Sequence, residues 1–184
     1  MRTEQELARL CTAGNREAQG KLYAQYASRL FALCYRYVAD RDEAQDLMHD
    51  AMIKAMDSFR YFSYSGDGSL YAWLRRLTVN VVIDRLRQLS KLRTVPLDST
   101  MEPNIVEPQE DEIDNIPAQV ILEMIAALPD VRRTVFNMYC IDGFSHKEIA
   151  EAINITEKGS ASILAKARAQ LKSQVNDYLK RTGR

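Results

Sequence analysis

The sequence predicts an all-α fold, with two small helical domains joined by an extended acidic linker. Three observations carry this. Apolar residues recur at three- and four-residue spacing over most of the chain, the period of an amphipathic helix. Four of the five prolines, Pro96, Pro103, Pro108 and Pro117, fall inside one acidic stretch. Near the C-terminus two helical patterns meet across a short break.

The elements follow in order. Leu7, Leu10 and Cys11 make a short first helix that Gly14 can end. Asn15 can cap a second, with apolar positions at Ala18, Leu22, Tyr26, Leu30, Leu33, Cys34 and Tyr37. A third runs from about Asp42 to Phe59 on the stripe Ala44, Leu47, Met48, Ala51, Ala55, Met56 and Phe59. Glu43, Asp46 and Asp50 line its other side. The segment Arg60 to Ser69 is rich in aromatics and glycine, a composition suited to stacking on bases. A fourth helix starts near Leu70 and runs to about Leu89 or Leu92. At 100° per residue, Arg76, Asn80 and Arg87 fall within about 40° of one another on it. A face with two arginines and an asparagine, beside an aromatic loop, fits nucleic acid better than a small-molecule pocket.

From Thr94 to Pro117 the chain carries seven acids and no base. Proline removes backbone donors and dense like charge opposes collapse, so this stretch reads as a tether. The flanking parts are mildly basic, +4 over residues 1–93 and +3 over residues 118–184. Those three ranges are the expected domain boundaries. In the last of them, Ser145 and Glu148 form an S-x-x-E capping box, followed by Ile149, Ala150 and Ile153. After Asn154-Ile155-Thr156, Thr156 caps a second short helix on the stripe Ile163, Leu164, Ala167 and Leu171. Two such helices at a steep angle form a helix-turn-helix, which can lay its second helix in the DNA major groove.

Composition excludes several classes. A chain of 184 residues with 46% apolar content can bury a core. No apolar run approaches the ~20 residues of a membrane-spanning helix. MRTEQELARL has no apolar signal core, so a cytoplasmic protein is expected. Cys11, Cys34 and Cys140 are widely spaced and form no C-x-x-C, so reduced, mostly buried thiols are expected in place of disulfides or a metal site. There is no phosphate-binding glycine loop, metal-ligand cluster or nucleophile motif, so neither an enzyme nor a cofactor is expected.

These patterns resemble the extracytoplasmic-function group of bacterial sigma factors, the promoter-specificity subunits of RNA polymerase. DRDEAQDLMHDAMIKAM (Asp40 to Met56) is similar to the helix with which that family grips core polymerase. LYAWLRRLTVNVVIDRLR (Leu70 to Arg87) is similar to its −10 helix. ALPDVRRTVF (Ala127 to Phe136) and the helix-turn-helix are similar to its −35 domain. The resemblance implies a four-helix region 2 domain, a region 4 helix-turn-helix domain, and roles for matching residues. Glu43, Asp46, Leu47 and Asp50 would contact the β′ coiled coil. Tyr61, Phe62, Tyr64 and Ser65 would capture a flipped base, with Arg75, Arg76, Asn80 and Arg87 on the −10 helix. Lys158, Gly159, Ser160, Ser162, Lys166 and Arg168 would meet the −35 duplex. Apart from the resemblance, a glycine in the first turn, Gly159, is expected to allow close approach of a phosphate. The implied partners are core RNA polymerase (β′ coiled coil and β flap), promoter DNA and an anti-sigma factor, the chain itself not being membrane-embedded.

The recognition helix departs from the family pattern. The long basic side chains expected at positions 161 and 163 are Ala161 and Ile163 here. Arginine forks read guanine, whereas alanine and serine read less sharply or touch a thymine methyl. A −35 preference not transferable from other members is therefore expected. Two rival classes remain. A helix-turn-helix regulator would carry a receiver domain of alternating strands and helices, for which no pattern appears. A sigma-mimic adaptor would be expected to lose the basic −10 positions.

Overall fold

A computed structural model describes residues 3–89 and 116–182. Among the described residues there are eight α-helices and no strand, in two compact units, residues 1–85 and 86–184. The all-α class is as the periodicity predicts.

The first unit is built from α1 (Glu4–Thr12), α2 (Arg16–Val38), α3 (Arg41–Ser58) and most of α4 (Ser69–Gln88). Local chemistry sets the first three starts. Thr3, Asn15 and Asp40 each offer a side-chain oxygen to a backbone N–H three residues on, at 3.3, 2.9 and 2.8 Å. Gly14, at φ +71°, turns the chain between α1 and α2. Ala39 closes α2 in the left-handed region, at φ 55°. The whole predicted stripe of α2 is buried, and it packs on α3 through Ala44, Leu47, Met48, Ala51 and Ala55. Met56 is only half-buried; Met52 takes the inner place. On α4 the buried line is Leu70, Leu74, Thr78, Val79, Val82, Ile83 and Leu86. Leu77 and Val81 stand at its margin.

The second unit contains α5 (Ala118–Ala126), α6 (Asp130–Phe136), α7 (His146–Ile153) and α8 (Glu157–Thr182), all packed on α8. A five-residue π-helical turn, Asn137–Ile141, follows α6. The Ser145–Glu148 capping box forms in full. Asn154, at φ 55°, ends α7 in the left-handed conformation. Replacing Ser145 by Ala is expected to cost about 1 kcal/mol and lower the thermal midpoint by several degrees, measurable by circular dichroism. The second helix of the pair is not short. α8 runs 26 residues, because beyond Leu171 neither Gly nor Pro interrupts the chain before Gly183, and Leu179 is buried at the far end.

Most of the acidic stretch lies outside the described residues; at its C-terminal edge Ile116 is buried. The cysteines are free: Cys11 and Cys34 are buried as expected, and Cys140 is exposed. Burial pushes the Cys34 thiol up to about 12.

Candidate nucleic-acid and polymerase interfaces

The helix period of α3 turns its apolar stripe inward and leaves an acidic face outside. Asp46 and Asp50 are exposed and Glu43 half-buried. On the helical wheel these three fall within about 60°. With Leu47, His49 and Arg85 they line a recess of about 460 Å³. The Tyr23 hydroxyl and His49 Nε2 share a hydrogen bond of 3.0 Å at its edge. Two residues of this face escaped the sequence reading. Ile53, 62% exposed, and Asp57 continue it within about 20° of Asp46. Leu47 sits at the margin of this face, about 40° beyond Glu43 on the wheel. At 3% exposure most of its side chain belongs to the core, and the remainder reaches the floor of the recess.

The loop between α3 and α4 is held rather than loose. Phe59 and Phe62 meet Trp73 of α4 at ring-centroid distances of 5.1 and 5.2 Å. Phe62 is thus half-buried and anchors the loop, not an open stacking platform. Tyr61 is 71% exposed, with the Arg60 guanidinium 4.7 Å from its ring centre. The Tyr64 hydroxyl donates to Asp67 Oδ1 at 2.8 Å, and that bond, with nearby acidic charge, raises its pKa. The Ser65 N–H donates to Ser69 Oγ at 3.3 Å.

On α4, Arg76, Asn80 and Arg87 are all exposed, on one side of one helix. Arg75 is half-buried and points about 140° from Asn80. It therefore does not share their face, although it is the sequence neighbour of Arg76. Arg75 lies one turn beyond Tyr71, which stacks on Tyr26 and carries the Arg29 guanidinium 3.6 Å above its ring.

The start of α8 separates the six residues expected at duplex DNA into two groups. Gly159 and Ser160 are buried. The Gly159 N–H donates to the Thr156 cap at 2.9 Å, and a Cβ on Gly159 would stand 3.1 Å from that hydroxyl oxygen. Close approach at Gly159 is thus to the chain's own turn, not to a phosphate. Ser160 Oγ and His146 Nδ1 share a hydrogen bond of 2.9 Å that joins α8 to α7. Lys158 and Arg168 remain exposed, and Ser162 and Lys166 half-exposed. Lys158, Ala161, Ser162 and Ala165 cover about 100° of the helix, with Lys166 and Arg168 on opposite edges. Arg168 is steered by the π-helical turn: its guanidinium lies 3.7 Å from Cys140 Sγ and 5.9 Å from the Tyr139 ring centre. Tyr139 in turn stacks on His146 at 4.4 Å.

Comparison with known proteins agrees with this arrangement. Residues 22–92 match Sigma-70 region 2, and residues 118–171 match Sigma-70, region 4. The chain is 26% identical to the ECF RNA polymerase sigma factor SigW of Bacillus subtilis, over 89% of this chain and 92% of that protein. It is 27% identical to the ECF RNA polymerase sigma-E factor of Escherichia coli, over 97% of both. Among solved structures it is similar to the sigma factor RpoE in complex with the anti-sigma factor NepR from Bartonella quintana. That likeness has a TM-score of 0.52 at 18% identity, over 85% of this chain and 96% of that one, and it speaks to fold.

Proposed function

We infer, from the premise that the chain belongs to the extracytoplasmic-function sigma factors, how its surfaces divide the labour of promoter-specific transcription initiation. The observation that carries the reading is the presence, in one chain, of three outward faces with different chemistry. These are the acidic face of α3, the aromatic loop with the Arg76–Asn80–Arg87 side of α4, and the Lys158–Arg168 strip of α8.

The α3 face, through Glu43, Asp46 and Asp50, docks on a basic surface of core polymerase, the β′ coiled coil, by charge complementarity. The α3–α4 loop and α4 take the −10 element. Extruding a base costs a few kcal/mol of stacking and pairing. A site that stacks the base on Tyr61 or Tyr64 and holds the strand with Arg76, Asn80 and Arg87 offsets that cost, so binding alone stabilises the melted promoter. The strip on α8 enters the major groove of the −35 element. Lys166 and Arg168, on its two edges, suit phosphates, while Lys158, Ala161, Ser162 and Ala165 face the bases. Residues 1–93 and 118–184 act as the two reading domains, and residues 94–117 as the acidic connection between them. No residue is assigned a catalytic role. The protein acts in the cytoplasm, where polymerase is, and an anti-sigma factor holds it inactive.

The test is transcription in vitro. The full chain is added to core polymerase on genomic DNA of the source, and start sites are mapped. Initiation that depends on the chain, at sites sharing two upstream elements, is expected; no chain-dependent start would refute the reading.

A further inference from the structure

Three of the first unit's helices carry their own cap, and α4 does not. The residue at its cap is Gly68, which has no side chain and sits at φ +90°. Its carbonyl accepts the Ala72 N–H at 3.0 Å, so the helix starts there, with its first N–H groups in need of acceptors. Glu4, in the first turn of α1, supplies them. Its Oε2 accepts the Gly68 N–H at 2.8 Å and its Oε1 the Leu70 N–H at 2.6 Å. The Ser69 hydroxyl also donates to Oε1, at 3.5 Å. A carboxylate is the right group for the positive end of a helix, and its bonds to N–H groups are charge-assisted. Ser69 is the residue whose Oγ receives the Ser65 N–H. The loop is thus fastened at both ends, by Phe62 against Trp73 where it begins and by Glu4 where it becomes α4.

We propose that Glu4 is a positioning residue for −10 base capture: the α1 carboxylate fixes where the α3–α4 loop meets α4, and so fixes the aperture that a flipped base must enter. This rests on the loop's role in base capture. A site that reads a base by stacking and hydrogen bonding has to be set in advance, because misplacement of about 1 Å forfeits much of its contact energy. Glu4→Gln keeps the shape of the side chain but removes its charge. It also turns an amide NH₂ toward one of the N–H donors.

The experiment uses holoenzyme assembled from core polymerase and the full chain. It compares binding to a pre-melted cognate promoter with binding to one substituted at a single −10 base. Glu4→Gln and Glu4→Ala are expected to lower that preference about tenfold, equivalent to about 1.4 kcal/mol, with core affinity unchanged. Leu7→Ala, a buried α1 substitution away from the tie, serves as the stability control. An unchanged preference in the Glu4 variants overturns the proposal. So does an equal loss in Leu7→Ala at matched thermal stability. Tyr61→Ala and Tyr64→Ala separate the two layers of the argument. If they abolish the preference while the Glu4 variants retain it, only the role of Glu4 falls. If they too leave it intact, the base-capture reading of the loop falls, and the role of Glu4 with it.

Discussion

Reversing both Asp46 and Asp50 to arginine is expected to weaken binding to core polymerase by at least about 100-fold, while the chain folds as before. Both carboxylates are exposed, one turn apart on α3. Substitutions at such positions usually change stability by no more than about 0.5 kcal/mol. Their effect at an interface is larger, because reversal replaces two attractions by two repulsions, and like charges set against each other cost several kcal/mol. Fluorescence titration of labelled chain into core measures the affinity, and circular dichroism the fold. Core binding that survives the double reversal at physiological salt would remove α3 from the docking surface. Leu47→Ala offers a contrast. Because Leu47 is almost wholly buried, its truncation should reduce stability by about 2–5 kcal/mol, and its effect on polymerase binding, read at matched folded fraction, should stay well below that of the double reversal.

Arg133→Ala is expected to have the largest effect on the second unit. Arg133 is 5% exposed. One guanidinium nitrogen donates to the carbonyls of Ala126 and Leu128, at 2.7 and 2.9 Å, and another is paired with Asp130. A single side chain therefore closes the end of α5, bridges the turn and opens α6. Its loss leaves two carbonyls with an unfilled acceptor site and a void beside the buried Leu128. Removing one member of a buried charged network costs about 3–5 kcal/mol. The lower end applies, since Asp130 is partly exposed and regains water. A loss of about 3 kcal/mol should lower the midpoint of a domain this size by more than about 10 °C. Hydrogen exchange of α5 and α6 amides, read against that of α2, assigns the loss to the correct unit. Arg133→Lys should not restore it, because an ammonium lacks the planar fork. Full stability in Arg133→Ala would show that the fork is dispensable.

The helices were legible where a local cap coincided with a strong period. Asn15 and the Ser145–Glu148 pair are examples, since capping and periodicity are both short-range properties. The buried stripes of α2 and α3 followed for the same reason. Three kinds of error have physical causes. Adjacent residues on a helix diverge by about 100°, so Arg75 and Arg76, alike in sequence, lie on different sides. Small residues serve close helix packing as readily as open surface. Gly159 and Ser160 looked like DNA contacts, but Gly159 packs on the Thr156 turn and Ser160 joins α8 to α7. Long-range contacts leave no local mark. Nothing around Glu4 shows that its partners are 64 to 66 residues away. The length of α8 was missed because its second half is amphipathic but mostly polar, with Leu179 its one fully covered residue.

The seating of that helix has a mechanical consequence. From Gly159 to Leu179, α8 is one rigid rod of about 30 Å. The end that carries the proposed DNA strip is also the end seated in its own domain, through Gly159, Ser160, Leu164 and Ala167, while the far end is covered at Leu179. The strip therefore takes its tilt from the packing directly beneath it. Substitutions at Leu164 or Ala167, on the opposite side of the rod from any base, are expected to reorient the strip as a whole.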